Sequence, residues 1–109
     1  MNRGTGKRAT RPLGITSAAI LLAIQRGTSY GFDIIERTGL PSGTVYPTLG
    51  RLMRAGYLAA EWEDRQIADR ERRPRRRYYD LTPEGEAALQ RALQRVALVS
   101  VLADAEDAR

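Results

Sequence analysis

The apolar positions of the chain fall into four stretches with helical spacing and two short ones that alternate. Residues 18–24, AAILLAI, are rich in Ala and Leu, which favours helix over buried strand. Thr16 or Ser17 is placed to cap the start of this helix, and Gly27 to end it in the left-handed conformation. It has no polar face, and a helix that is apolar all round is buried on more than one side. One small domain covers only one of those sides with its own chain, so the pattern implies a partner subunit. A shorter helix follows in YGFDIIERTG. Ser29 is its expected cap and Gly39 its stop, with Phe32, Ile34 and Ile35 turned inward and Asp33, Glu36 and Arg37 outward.

After the breaker-rich turn GLPSG, the segment TVYPTLGRLMRA reads as a third helix. On a helical wheel Val45, Leu49, Leu52 and Met53 share one side, and Thr44, Thr48 and Arg51 the opposite side, with Tyr46 at the boundary. Pro47 costs about 3 kcal/mol in a helix interior but little in a first turn. With Thr44 as the N-cap no hydrogen bond is broken; with Ser42 as the N-cap the bond to Gly43 is lost. The sequence leaves both starts open. In either case Pro47 lies near the positive end of the helix, where free N–H groups suit an anion such as phosphate. Gly43 and Gly50 leave room for close approach.

Beyond Gly56 the period changes to two. YLAAEWED places Leu58, Ala60 and Trp62 on one face, with Trp62 expected in the core. A charged loop is expected over residues 65–74. RRRYYDL then puts Tyr79 and Leu81 on the apolar face of a second strand. In the last stretch Thr82 is an N-cap candidate with Pro83 at the first helical position. Leu89, Ala92, Leu93, Val96, Val99 and Ala103 follow helical spacing, and VALVSVL widens the apolar surface beyond what one small core can bury.

Two helices joined by a tight Gly-containing turn form a helix-turn-helix, and a basic hairpin directly after them makes it winged. The fold expected is therefore α+β, mostly α: three helices, a two-stranded wing and a C-terminal dimerisation helix. Residues 1–12 are expected to be a disordered basic arm, 13–82 the winged helix-turn-helix domain, and 83–109 the dimerisation helix.

Charge sharpens this picture. The 109 residues carry a net charge of +5. Residues 1–12 hold Arg3, Lys7, Arg8 and Arg11 and no acid, and residues 65–77 hold seven Arg against Asp69 and Glu71. Residues 13–64 and 78–109 are net negative, so two short segments hold all the excess. Such concentration favours a polyanion, because neutralising phosphates releases counterions. The chain has no Cys and no His, which removes thiolate chemistry, the usual general base and the commonest metal ligand. Asp33, Glu36, Glu61, Glu63 and Asp64 read as surface charges rather than a Mg²⁺ or acid–base site, so no enzyme activity, metal or cofactor is expected. The longest apolar run is far too short to span a bilayer and no signal-peptide order opens the chain, so a cytoplasmic protein is expected.

Two motifs at this spacing, SYGFDIIERTGLPSGTVYPTLGRLMRAGYL and RRPRRRYYDLTPEGEAAL, resemble the PadR family of bacterial transcriptional regulators over about residues 15–95. The resemblance implies a winged-helix repressor that dimerises through its first and last helices. It implies that the helix near SGTVYP enters the major groove, that the Tyr before Pro contacts the DNA backbone, and that basic wing residues reach phosphates or the minor groove. Carried onto this chain, the DNA-binding residues are Ser42, Thr44, Tyr46, Thr48 and Arg51, with Arg72, Arg73, Arg75 and Arg76 on the wing. The dimer residues are Ile20, Leu21, Ile24, Leu89, Leu93, Val96 and Val99. The chain departs from the family pattern at Phe32, where Tyr is common, and at Gly50, where a longer or basic residue is common. Its last helix lacks the aromatics with which multidrug-sensing relatives sandwich planar ligands.

Three function classes follow from these residues. The first is a homodimeric DNA-binding regulator acting on an inverted-repeat operator. The second is a winged-helix protein-interaction module whose basic segments merely solubilise it. The third, overlapping the first, is a sensor that an unidentified small-molecule effector releases from DNA. The basic residues cluster at the wing and the arm, the two places able to flank a groove-bound helix, which favours double-stranded DNA.

Overall fold

The computed structural model describes residues 12–107, so Arg3, Lys7, Arg8 and Arg11 of the expected arm lie outside it. Seven elements follow in chain order: α1 Ile15–Gln25, α2 Gly31–Thr38, α3 Ser42–Arg54, β1 Leu58–Trp62, α4 Arg65–Arg70, β2 Arg77–Leu81 and α5 Pro83–Asp107. The two strands pair antiparallel, with Leu58 opposite Leu81, Ala60 opposite Tyr79 and Trp62 opposite Arg77. This is a winged helix-turn-helix. One element was not expected: the charged stretch after β1 contains the short helix α4. The Asp64 carboxylate accepts the Gln66 N–H at 2.9 Å and caps its start, and buried Ala68 fixes its inner side.

The core joins all the layers. Ile20, Leu21 and Ile24 of α1 meet Ile34 of α2, Val45, Leu49 and Leu52 of α3, Leu58 and Tyr79 of the sheet, and Leu89 of α5. Burying one such aliphatic side chain is worth about 1.5–3 kcal/mol. The sequence reading put Ile20, Leu21, Ile24 and Leu89 at a subunit seam; they lie instead inside one protomer. The first turns of α5 fold back on α1 and cover its second side, which the reading had left for a partner.

Phe32 is a second correction. Ile34 is fully buried, and Phe32 lies two residues away, about 200° around the helix, so it faces outward and is 62% exposed. Trp62 is a third: it shares the face of Leu58, but β1 runs past the helices at that end and leaves its ring 54% exposed.

The helix ends also differ in part. α1 starts after Gly14 without a side-chain cap, so neither Thr16 nor Ser17 acts as one. Ser29 does not cap α2; its carbonyl accepts the Tyr79 N–H at 2.8 Å, and Tyr30 forms a bridge with Tyr78. This lays the segment before α2 along the edge of the sheet. Gly39 closes α2 with φ +73°, the left-handed turn only glycine adopts freely. Thr82 caps α5 as expected: its Oγ1 accepts the Gly85 N–H at 3.0 Å and donates to the Gly56 carbonyl at 2.6 Å. Gly85 lies against the Tyr57 carbonyl, and no side chain fits between them.

Candidate nucleic-acid interface

The opening turn of α3 starts at Ser42, with the Pro41 carbonyl accepting from Thr44 N at 2.9 Å and Val45 N at 3.0 Å. This settles the question that Pro47 raised. Pro47 is the sixth residue of α3, beyond the first turn, and the bond it cannot make is the one to the Gly43 carbonyl. Ser42, Gly43, Tyr46, Pro47 and Arg51 are exposed, and Thr44 is half-buried. The amide-rich end of the helix therefore faces solvent.

Thr48 does not lie on this exposed face. It follows Val45 by three residues and precedes Leu52 by four, so it shares their side of the helix and is 1% exposed. Its Oγ1 accepts a hydrogen bond from Arg51 Nη2 at 3.0 Å. Thr48 is therefore not part of the solvent-facing surface expected of it; its hydroxyl holds the guanidinium tip of Arg51.

Tyr46 leaves α3 toward the start of α2 and covers Gly31. A Cβ on Gly31 would stand 2.5 Å from Tyr46 Cε1 and 2.7 Å from its hydroxyl. Glycine is required here so that the ring can lie down between α2 and α3 with its outer edge in solvent.

The wing is organised by Glu63, one residue past β1. Its backbone N–H donates to the Arg76 carbonyl at 2.8 Å, extending the ladder. Its carboxylate accepts from Arg73 Nη1 at 2.7 Å, Arg73 Nη2 at 2.9 Å and Arg76 N at 3.1 Å, and its carbonyl accepts from Arg75 Nε at 2.9 Å. The hydrogen bond from Arg73 holds the Glu63 carboxyl down at about 2, against the opposing pull of burial, with the Arg76 N–H and the positive charges of Arg73 and Arg76 helping. The fork also accounts for Arg73. Both terminal nitrogens of Arg73 are thus engaged by a carboxylate within the protein, whereas the expectation took this guanidinium as free for DNA.

The other wing arginines are presented on aromatic rings. The Arg76 guanidinium lies 4.1 Å from the centre of the Tyr30 ring. Arg75 and Arg77 lie 5.7 and 5.5 Å from that of Trp62, and Arg77 is also 5.9 Å from Tyr79. Such contacts hold a cation in place while leaving its hydrogen-bond donors outward. Arg72 is exposed at the turn after α4 with φ +56°.

These parts converge. Tyr46, Gly31, Phe32, Trp62, Arg75 and Arg77 line one open groove of about 670 Å³ between the two helices and the wing. Of the expected residues, Tyr46, Arg73, Arg75 and Arg76 border this groove; Ser42, Thr44, Thr48, Arg51 and Arg72 lie outside its lining. Sequence reasoning missed Arg77, Trp62, Phe32 and Glu63. Arg77 was signalled by period-two pairing with Trp62. Glu63 was signalled only as an acid beside an arginine run, a pattern that solvated loops share.

Among the described residues no cluster of carboxylates is arranged to hold a metal ion, and no helix is long and apolar enough to cross a membrane.

The comparisons with known proteins agree with this fold. The family model for the transcriptional regulator PadR-like family matches residues 20–91. No curated protein matches the sequence. Among solved structures, a PadR-like transcription factor from Bacteroides fragilis is 27% identical, with 95% of this chain and 97% of that chain covered and a TM-score of 0.68. The smu.1704 protein of Streptococcus mutans UA159 is 28% identical, with 87% and 90% covered and a TM-score of 0.70. Bacillus subtilis PadR, solved in complex with operator DNA, shares the fold at 21% identity, with 75% of this chain and 48% of that chain covered and a TM-score of 0.63. The family match runs from the second half of α1 through the first third of α5 and includes every residue that lines the groove, and on that ground the chain belongs to the PadR-like family of transcriptional regulators.

Proposed function

We propose that the protein binds double-stranded DNA in a sequence-specific way as a homodimer and represses transcription from an inverted-repeat operator in the cytoplasm. The observation that carries this reading is the shared groove. The solvent-facing start of α3 and Tyr46 stand on one side of it, and Arg75, Arg76 and Arg77, held on aromatic rings, on the other. A helix with a free amide end beside a row of outward guanidiniums suits a major groove flanked by backbone phosphates. Arg51 is exposed on α3 with its guanidinium held at one nitrogen by Thr48, and its remaining donors suit a base edge. Operator DNA bound to the structurally similar Bacillus subtilis PadR supports the same assignment.

The dimer rests on a second surface. From Leu93 to Ala105 the side chains of α5 are exposed, including Leu93, Val96, Leu98, Val99, Val101 and Leu102. Val96 and Val99, with Leu13, Ile15 and Ala18 near the start of α1, line an apolar groove of about 410 Å³. A second copy bringing the same surface would cover both by two-fold pairing and set two α3 helices about one DNA turn apart. An effector that released the DNA would act by altering this pairing.

Selection of duplexes from random sequence tests the reading. It should yield an inverted repeat, bound with a log–log salt slope of roughly −5 if about six phosphates are neutralised per dimer. Selection of no sequence, with affinity independent of salt, would remove DNA as the partner and leave the protein-interaction reading.

A further inference from the structure

The wing carries one acid among its arginines that is not spent on solvent. Glu63 is 7% exposed, and its carboxylate receives both arms of Arg73, the Arg76 N–H and, at 3.4 Å, the Tyr78 hydroxyl. Its backbone carbonyl receives Arg75 Nε. Three wing positions flanking Pro74, Arg73, Arg75 and Arg76, are thus tied to one residue. A surface that recognises a polyanion gains nothing from an anion of its own unless that anion has structural work, because like charge repels phosphate. A loop dense in arginine also repels itself and is costly to hold in one shape. One buried, fully hydrogen-bonded carboxylate answers both conditions: its field is cancelled locally by Arg73, and its geometry fixes the backbone that bears Arg75, Arg76 and Arg77.

We infer that Glu63 is the positioning residue of the DNA-binding wing, acting through Arg73 and the Arg76 backbone, and that Arg73 serves this clamp rather than the DNA. The inference deepens the regulator reading and rests on it for its DNA arm. It makes a prediction of unusual sign. Glu63→Gln removes a negative charge from a phosphate-facing wing, which by charge alone would tighten DNA binding. Loss of positioning weakens it instead.

The test uses the full-length protein and the duplex recovered by selection. Glu63→Gln is expected to bind roughly tenfold more weakly, the cost of unmaking a buried charged hydrogen-bond set. Arg73→Ala is expected to weaken binding in the wild-type background and to add almost nothing in the Glu63→Gln background. Arg73→Lys, which keeps the charge but not the fork, is expected to weaken binding without changing the salt slope, and guards against simple misfolding of the other variants. Trp62 is the sole tryptophan and sits under Arg75 and Arg77, so its emission in the free protein reads wing geometry directly. It is expected to change in Glu63→Gln while the helical circular dichroism does not. Equal or tighter DNA binding by Glu63→Gln overturns the inference, as does an undiminished effect of Arg73→Ala in that background. If the wild type binds no duplex, the regulator reading falls separately, and Trp62 emission decides: an unchanged spectrum in Glu63→Gln overturns the clamp.

Discussion

The Tyr46 ring lies across Gly31 so closely that a methyl group in place of the glycine hydrogen would stand 2.5 Å from Cε1. The two residues belong to different helices, α2 and α3, and their contact fixes the attitude of the aromatic side chain that α3 contributes to the groove. The ring is the far end of a side chain with two rotatable bonds, so it can yield where backbone could not. Gly31→Ala should therefore fold, with a melting temperature within a few degrees of the wild type, yet expel Tyr46 from its seat. Weakening of operator binding by about 1 kcal/mol or more is expected, comparable with loss of one backbone contact. Titration of labelled duplex beside a thermal melt checks both halves.

Gly85 offers the opposite case. A Cβ there meets the Tyr57 carbonyl, which is itself held by the Thr82 N–H at 3.1 Å. Backbone on both sides cannot swing away. Gly85→Ala should destabilise the fold by about 1–3 kcal/mol, as overpacking does in a tight core. Chemical denaturation measures it, and an unchanged midpoint would count against the close approach of α5 to the backbone just before β1.

Arg51 and the wing arginines should differ in kind. Arg51→Ala is expected to cost about 1–3 kcal/mol on the selected operator and to relax preference at one base pair per half-site. Replacing Arg75 and Arg77 together with Ala should weaken specific and random duplexes alike and flatten the salt dependence. Binding measured on operator, point-changed operator and random DNA separates the two behaviours.

Acid should loosen the wing through Glu63. Its carboxyl titrates near 2 in the folded protein against 4.5 ordinarily. A folded-state value below the unfolded one means that the group stabilises fully above about pH 4.5 and loses that contribution as pH falls toward 2. The gap in melting temperature between wild type and Glu63→Gln should accordingly be widest above pH 5 and close between pH 4.5 and 2. A gap that stays constant over that interval would show that the Arg73 fork does not control the titration.

Val96 is half exposed and borders the apolar groove between α1 and α5. Val96→Glu should leave the protomer folded, since the core does not use this residue, but place two like charges near the proposed two-fold seam. Sedimentation is expected to give a monomer that no longer binds the inverted repeat, and a wild type that sediments as a monomer at micromolar concentration would remove the dimer.

The sequence alone determined the order of the elements other than α4, the breakers between them and the charge that the wing carries. These are local matters. The period of the apolar residues, the glycines after α1, α2 and α3, and the Thr-Pro start of α5 act over a few residues and leave their signature there. The PadR-like resemblance rested on the same local motifs. What only the tertiary structure decided is which of two similar residues is used, and where. AAILLAI looked half bare because nothing local announces that α5 folds back over Ile20, Leu21 and Ile24. Thr48 and Thr44 are alike in sequence, yet a turn of α3 facing the core buries the first and leaves the second half open. Arg73 and Arg75 differ by one proline between them, and only the placement of Glu63 under the wing turns one inward as a clamp and leaves the other on Trp62. Burial and pairing depend on atoms brought together from distant parts of the chain, and spacing along the chain carries no measure of that distance.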